Sequence, residues 1–456
     1  MKLLKVAKTL FMAASFAAAS LCAQDENPGR YGDEINERDS DVIRDFLDQK
    51  KMIDFEKGDA KITIDADVHS EWRNMNETLN SKRLRGPGAE VIALGNYVGP
   101  DGEVFPVGSK LPVAHNDYDI EFNLHFTYDT PRTWAVAHLQ FDNSAGIDTS
   151  GIVCRIDPHG WFGSGNVDSI ALKQAYWGYQ VYKDDNNLFE IEVGRRGNIY
   201  KIFDSEIQFL SRCDGVVFRY DGKWGDVGKI YSRAIAFVVD ERVAQYAYGA
   251  EIGLLSAGGS GLDLKYSLID WRFNKKNRCN STPWAFDFLV SQWTLVYNFK
   301  PSCYTLYQPA KIYAAAACNH SANKRGFKVK KKSPLLEVER DPHMGRKNWG
   351  GYVGFLIGDV NKEGDWSFET MLQCVEAKAV PDRDASGIGN GNVLGETFTQ
   401  IGRGNTNFWG AKFEGIYALT DDLSLDTIIE FSHSLDPNIA GRHTYSKFEL
   451  EAFYAF

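Results

Sequence analysis

The sequence predicts an all-β fold, a transmembrane antiparallel up-and-down β-barrel of about sixteen strands, and three observations carry that expectation. Over 447–456 the residues alternate without a break, with Phe448, Leu450, Ala452, Tyr454 and Phe456 on one side and Lys447, Glu449, Glu451, Phe453 and Ala455 on the other. Successive strand side chains face opposite sides, so such a segment has one apolar and one mostly charged face. A tilted strand of about ten residues of this kind is long enough to cross a bilayer. Beyond residue 23 no run of about 18 apolar residues occurs, so strands are the only elements that could cross. Finally, the connections between strand-like segments alternate between short and long.

The N-terminus has the layout of an export signal over residues 1–23: Lys2, Lys5 and Lys8 are basic, 10–21 are apolar or small, and Ala23 precedes Gln24. Leu21 is too large for the position before a lipidated cysteine, which argues against a lipid on Cys22. Residues 24–58 are acidic and lack alternation, and read as a periplasmic lead-in. Within them Asp39 and Ser40 could cap a short helix with Val42, Ile43, Phe46 and Leu47 on one side. The barrel is expected over 59–456.

Alternation starts at Lys61, where Ile62, Ile64, Ala66 and Val68 oppose Lys61, Thr63, Asp65, Asp67 and His69. It is clearest over 117–129, where Tyr118, Ile120, Phe122, Leu124, Phe126 and Tyr128 share a face. Tyr118 and Tyr128 bracket the aliphatic residues, as rings at two membrane–water interfaces would. Strands are expected at 60–72, 116–129, 133–142, 170–183, 187–196, 214–221, 228–239 and 244–255. The second half adds 261–273, 284–299, 309–320, 349–360, 364–378, 405–419, 422–433 and 445–456. Segments 73–115, 143–169, 321–348 and 379–404 are long, whereas 130–132, 184–186, 361–363 and 420–421 are short. One rim therefore carries tight turns and the other carries loops, as in bacterial barrels with short periplasmic turns. The exceptions are 240–243, short where it should be external, and 300–308, long where it should be periplasmic.

The chain has a formal charge of −10, and −13 without the three signal lysines, which argues against a nucleic-acid partner. Aromatic residues make up 13%, with 42 glycines and only 14 prolines, which suits a barrel and also a secreted sandwich. Six cysteines follow the signal: Cys154, Cys213, Cys279, Cys303, Cys318 and Cys374. They allow fifteen complete pairings, and spacing selects none. The topology puts Cys303 on the periplasmic rim and Cys154, Cys213 and Cys279 on or near the external one, too far apart to bond across an apolar band about 25 Å tall. Cys318 and Cys374 fall on non-neighbouring strands. No CxxC, HExxH or histidine cluster is present, so no metal or cofactor is expected. The run 258–261 is not a nucleophile elbow, because Leu262 follows it, and no enzymatic reading finds support.

With these features the chain resembles the bacterial outer-membrane porins over about residues 117–456. The resemblance rests on Phe456 with Tyr454 and the alternation before it, on Gly194-Arg195-Arg196, Phe203-Asp204 and Asp214-Gly215, and on Gly364-Asp365-Trp366 and Ser386-Gly387-Ile388-Gly389. Six cysteines depart from the family's pattern of few or none. The resemblance implies a channel in the outer membrane of a Gram-negative-type bacterium, passing ions and small hydrophilic solutes by diffusion. It implies outer-membrane lipid and the barrel-assembly machinery as partners and leaves room for a homo-oligomer. Phe448, Leu450, Tyr454 and Phe456 would form the assembly signal. The competing reading is a secreted or surface β-rich adhesin or binding protein.

A sixteen-stranded barrel is wide enough for an aqueous channel, with selectivity set by charge and by loops folded inward. In porins resembling this chain the third external loop narrows the pore, and here that position is 197–213. The candidate constriction comprises Arg195, Arg196, Lys201, Arg212 and Arg219 facing Asp204, Glu206 and Asp214. The alternative is that these charges form wall salt bridges or lie on a solvated loop. Inward acids Asp65, Asp67, Asp117, Asp119, Glu121, Glu449 and Glu451 would make the lumen negative and favour cations or neutral polar solutes. The basic run Lys324, Arg325, Lys328, Lys330, Lys331 and Lys332 reads as a solvated external face, with anionic outer-leaflet lipid or a surface polymer as the alternative partner.

Overall fold

The computed structural model describes residues 41–48, 53–92, 97–98, 104–105, 110–112, 116–142, 169–198, 203–208, 212–240, 245–271, 288–324, 326–329, 338–341, 345–381, 385–388 and 406–456. Sixteen antiparallel strands close into one barrel. In chain order they are β1 (Ala60–Leu79), β2 (Asn116–Asp129), β3 (Thr133–Asp142), β4 (Ser169–Lys183), β5 (Asn187–Asn198) and β6 (Arg212–Lys223). Then come β7 (Lys229–Asp240), β8 (Gln245–Leu255), β9 (Leu262–Asp270), β10 (Leu289–Phe299) and β11 (Ala310–Asn319). The last are β12 (Trp349–Asp359), β13 (Trp366–Val375), β14 (Phe408–Ala418), β15 (Leu423–Ser434) and β16 (His443–Ala455). Each pairs with its neighbours in sequence, and β1 pairs with both β2 and β16, from Asp67↔Ala455 to Leu79↔His443, which closes the ring.

Alternation assigns the two faces. Along β16, Lys447, Glu449 and Glu451 are buried, whereas Phe448, Leu450 and Tyr454 are 38%, 40% and 48% exposed. Charged residues shielded and aromatics open is the reverse of a water-soluble protein, and matches a barrel with lipid outside and a polar lumen. Tyr118 and Tyr128 both stand exposed at opposite ends of β2, as expected. Among the described residues no helix is long and apolar enough to cross a membrane.

The expected strands all form, with ends shifted by a few residues. The largest change is β1, which runs on to Leu79 and then turns back through Asn80 and Ser81, both at positive φ, into a short strand Lys82–Arg85. Its outer positions there are Asn74, Asn76 and Thr78, so the apolar face that marks the earlier part fades while the ladder continues. A second addition is the short strand Ile53–Lys57, which pairs with the start of β1 from Ile53↔Ile64 to Lys57↔Ala60. Phe456 exchanges backbone hydrogen bonds with Ala66, so this strand takes up the edge of β1 just where β16 runs out.

The short turns show why the chain reverses where it does. At 184–187, Asp184 Oδ1 accepts from the backbone N–H of Asn186 (2.8 Å) and Asn187 (2.6 Å), a side chain standing in for a backbone turn. The Tyr182 hydroxyl, which donates to the same carboxylate, and these N–H groups hold Asp184 down at about 2. The longer turn after β10 contains a single 3₁₀ turn, Cys303–Thr305, capped by Ser302. Cys303, Cys318 and Cys374 are free thiols, the last two on β11 and β13 with β12 between them. Cys154, Cys279 and the side chain of Cys213 lie outside the described residues.

The expected helix forms as α1 (Asp41–Asp48). Val42, Ile43, Phe46 and Leu47 are buried against Leu356, Val360, Ile416, Ala418, Phe453 and Ala455, and the strand residues in this set occupy lumen-facing positions. This helix, from the segment read as a lead-in, is thus seated within the mouth of the barrel at the end where the short turns lie. Shielding four such side chains contributes roughly 1.5–3 kcal/mol apiece.

Candidate pore constriction

The segment 203–208, between β5 and β6, folds into the lumen. Phe203 and Ile207 are fully buried among inward residues that include Ile235, Phe237, Ala247, Val290, Ala317 and Tyr352. Small wall residues make room: a Cβ on Gly249 would lie 3.1 Å from the Phe203 ring. Two apolar side chains four residues apart therefore anchor the loop to a wall of matching chemistry, and polar groups fix its register. Gln292 on β10 donates to the Asp204 carbonyl (2.7 Å) and accepts from Ser205 Oγ and Gln208 Nε2 (2.9 Å each). Gln373 on β13 donates to the Glu206 carbonyl (3.0 Å).

A second loop braces the first. Ser386 Oγ donates to the Gln208 carbonyl (2.9 Å), its backbone N–H to the Ile207 carbonyl (3.3 Å), and the Ile388 N–H to Gln373 Oε1 (3.1 Å). Gly387 holds φ at +80°, and a Cβ there would come within 2.5 Å of both the Glu206 carbonyl and the Gln373 amide. Only glycine fits without displacing the contact. The tripeptide Ser386-Gly387-Ile388, conspicuous in the sequence, is a latch on the inward loop.

The expected site residues divide four ways. Asp204 and Glu206 are on the inward loop. The Asp204 carboxylate receives Lys265 Nζ from β9 at 2.5 Å, and its backbone N–H reaches Glu251 on β8, which also accepts from the Tyr231 hydroxyl (2.7 Å). Burial, and next the Glu369 carboxylate, push Glu206 up to about 7, against the pull of Lys412. Arg196 and Arg219 also face the lumen, and they share one acid: Glu192 Oε2 is 3.0 Å from Arg196 Nε and Oε1 is 3.0 Å from Arg219 Nη1. Arg196 further donates to the Tyr176 hydroxyl (2.9 Å) with its guanidinium over that ring.

Arg195 and Asp214 require a correction. They pair with each other in register on β5 and β6, on the outer face, with 40% and 52% of their side chains exposed. Strand alternation forbids Arg195 and Arg196 from facing the same way, and Arg196 takes the inside. Lys201 and the side chain of Arg212 lie outside the described residues; the backbone of Arg212 begins β6.

Residues not singled out from sequence complete the lining. Lys412 bridges Glu414 and Glu369, the latter also accepting from the Tyr313 hydroxyl (2.6 Å). Across β1, β15 and β16 the wall is acidic: Glu71, Asp426, Glu430, Glu449 and Glu451 are buried beside Arg73 and Lys447. Of the acids expected inside, Asp67, Glu449 and Glu451 are shielded in the lumen, Asp65 and Glu121 are half-buried, and the side chains of Asp117 and Asp119 lie outside the described residues. Asp67 is 2.5 Å from His69 Nε2 and accepts from the Asn123 amide (2.9 Å). The inward positions of the strands were the available signal for all of these, although alternation alone cannot say which ones meet. Among the described residues no group of three or more His, Cys, Asp or Glu has metal-holding geometry.

The fold and its two faces define a membrane-spanning β-barrel with a charged, loop-narrowed interior. Solved structures of similar fold include Pseudomonas putida OprB, with a TM-score of 0.47 at 9% identity, covering 87% of this chain and 94% of that one. A variant of the Rhodopseudomonas blastica porin gives a TM-score of 0.40 at 7% identity, covering 87% of this chain and all of the other. No family model matches the chain, and no curated protein matches its sequence.

Proposed function

We propose that the chain is an outer-membrane porin, a channel through which ions and small hydrophilic solutes diffuse. The observation that carries this reading is the inversion of its faces: exposed Trp, Tyr and Leu outside, ion-paired acids and bases inside, with a loop pinned across the interior. A closed barrel of this size holds water rather than a packed core, and the inward loop supplies the narrowing on which selectivity depends. Asp204, Glu206, Arg196 and Arg219 are its charged lining. The surplus of acids along β1, β15 and β16 supports a preference for cations and neutral polar solutes.

Residues 1–23 act as the export signal in this reading, and Phe448, Leu450, Tyr454 and Phe456 as the assembly signal; their side chains project from the outer face or the end of β16, where assembly factors and lipid have access. The test is conductance of the refolded protein in a planar bilayer, with reversal potential measured in a salt gradient. Ohmic channels with cation preference are expected. A folded, heat-modifiable protein that passes no current would overturn the proposal.

A further inference from the structure

The periplasmic end of the lumen is lined unevenly. On β1 and β2 the inward residues at that end are polar: Thr63, Asp65, Thr127 and Asp129. On β12, β14 and β16 they are apolar, with Leu356, Ile416, Ala418, Phe453 and Ala455 all lumen-facing and all buried. A wall that meets water has no reason for such a patch, and here it does not meet water, because α1 covers it. We propose that α1 is a plug, an element of the chain that sets the size of the periplasmic exit; the inference rests on the porin reading.

The dimensions favour a plug over a decoration of the wall. The patch draws on β12, β14 and β16, whose outer two members are four strand spacings apart, an arc of roughly 19 Å at about 4.8 Å per strand. An eight-residue helix is about 12 Å long and, with side chains, about 10–12 Å across. A cylinder of that width, held on a concave arc of that length, occupies the space the arc encloses. Its apolar stripe of Val42, Ile43, Phe46 and Leu47 matches the patch, so the seat is specific to this helix face.

The experiment compares wild-type and Phe46→Asp/Leu47→Asp proteins, each refolded as the full mature chain and checked for heat-modifiable migration. Two carboxylates in an apolar seat displace the helix, and single-channel conductance is expected to rise at least about 1.5-fold as the freed width carries current. Phe46→Leu is expected to conduct as wild type. A measurement on the wild type alone guards against a variant that fails to fold: neutral polyethylene glycols added on the two sides should show a smaller size cut-off from the periplasmic side. Folded charged variants with unchanged conductance, or equal cut-offs from both sides, overturn the plug while leaving the porin reading intact. Absence of current from wild type and variants alike removes the porin reading, and the plug with it.

Discussion

Arg195 grips Asp214 through two parallel hydrogen bonds, Nε to Oδ1 at 2.7 Å and Nη2 to Oδ2 at 2.8 Å, across adjacent strands on the outside of the barrel. The geometry is that of a strong fork-to-carboxylate pair, yet both side chains are open to their surroundings. Exposed pairs are usually worth less than about 1 kcal/mol.

Arg195→Ala or Asp214→Ala should therefore leave ion selectivity at the wild-type value and lower unfolding stability by no more than about 1 kcal/mol. Reversal potentials and urea titrations of the two variants check this. A shift in selectivity would return the pair to the pore.

Glu192 should behave in the opposite way. Its side chain is 1% exposed and holds both Arg196 and Arg219. Glu192→Gln leaves two inward guanidiniums short of a counter-charge. Stability should fall by roughly 2–4 kcal/mol, near the cost of breaking a buried pair, and anion permeability should rise relative to cation permeability.

Glu206 gives the channel a pH response near neutrality. With its carboxyl raised to about 7, it is neutral in mild acid and gains its charge as pH rises through that value. Cation preference should increase between about pH 6 and pH 8 as this carboxyl and that of Glu251, also raised to about 7, lose their protons, and Glu206→Gln should reduce that step. Because the raised value favours the protonated form in the folded state, the same group makes the fold less stable as pH climbs from the ordinary carboxylate range to about 7. A bilayer titration of the reversal potential, done with both proteins, decides the matter.

Gly387→Ala tests the latch. The substitution forces a Cβ against the Glu206 carbonyl at a φ that alanine resists, a strain of about 1–3 kcal/mol. Open-channel current noise should grow as the inward loop loosens, while the barrel remains heat-modifiable. A quiet channel identical to wild type would mean that the brace is dispensable.

The wall of this protein is legible in its sequence, and the reason is lipid. Wherever one face meets hydrocarbon and the other water, the period of two is written into the residues, as over 117–129 and 447–456. The trace fades where that contrast ends: β1 continues past residue 72 with Asn74, Asn76 and Thr78 outside. The interior is less legible. Asp204 and Glu206 could be assigned to an inward loop through the porin resemblance, but their partners Lys265, Glu251, Gln292 and Gln373 come from four distant strands and share no local signal. Arg195 could have been excluded by parity alone, since Arg196 beside it faces the other way.

The short strand Ile53–Lys57 leaves its mark outside the channel. β1 overshoots the strand that seals the ring, and its first residues, Ala60–Ile64, would otherwise offer unpaired N–H and C=O groups on that side. Such a bare margin invites a neighbouring molecule to add a strand of its own. By hemming it with five residues of the same polypeptide, the protein removes a template for clumping at a place where the cylinder does not cover its own edge.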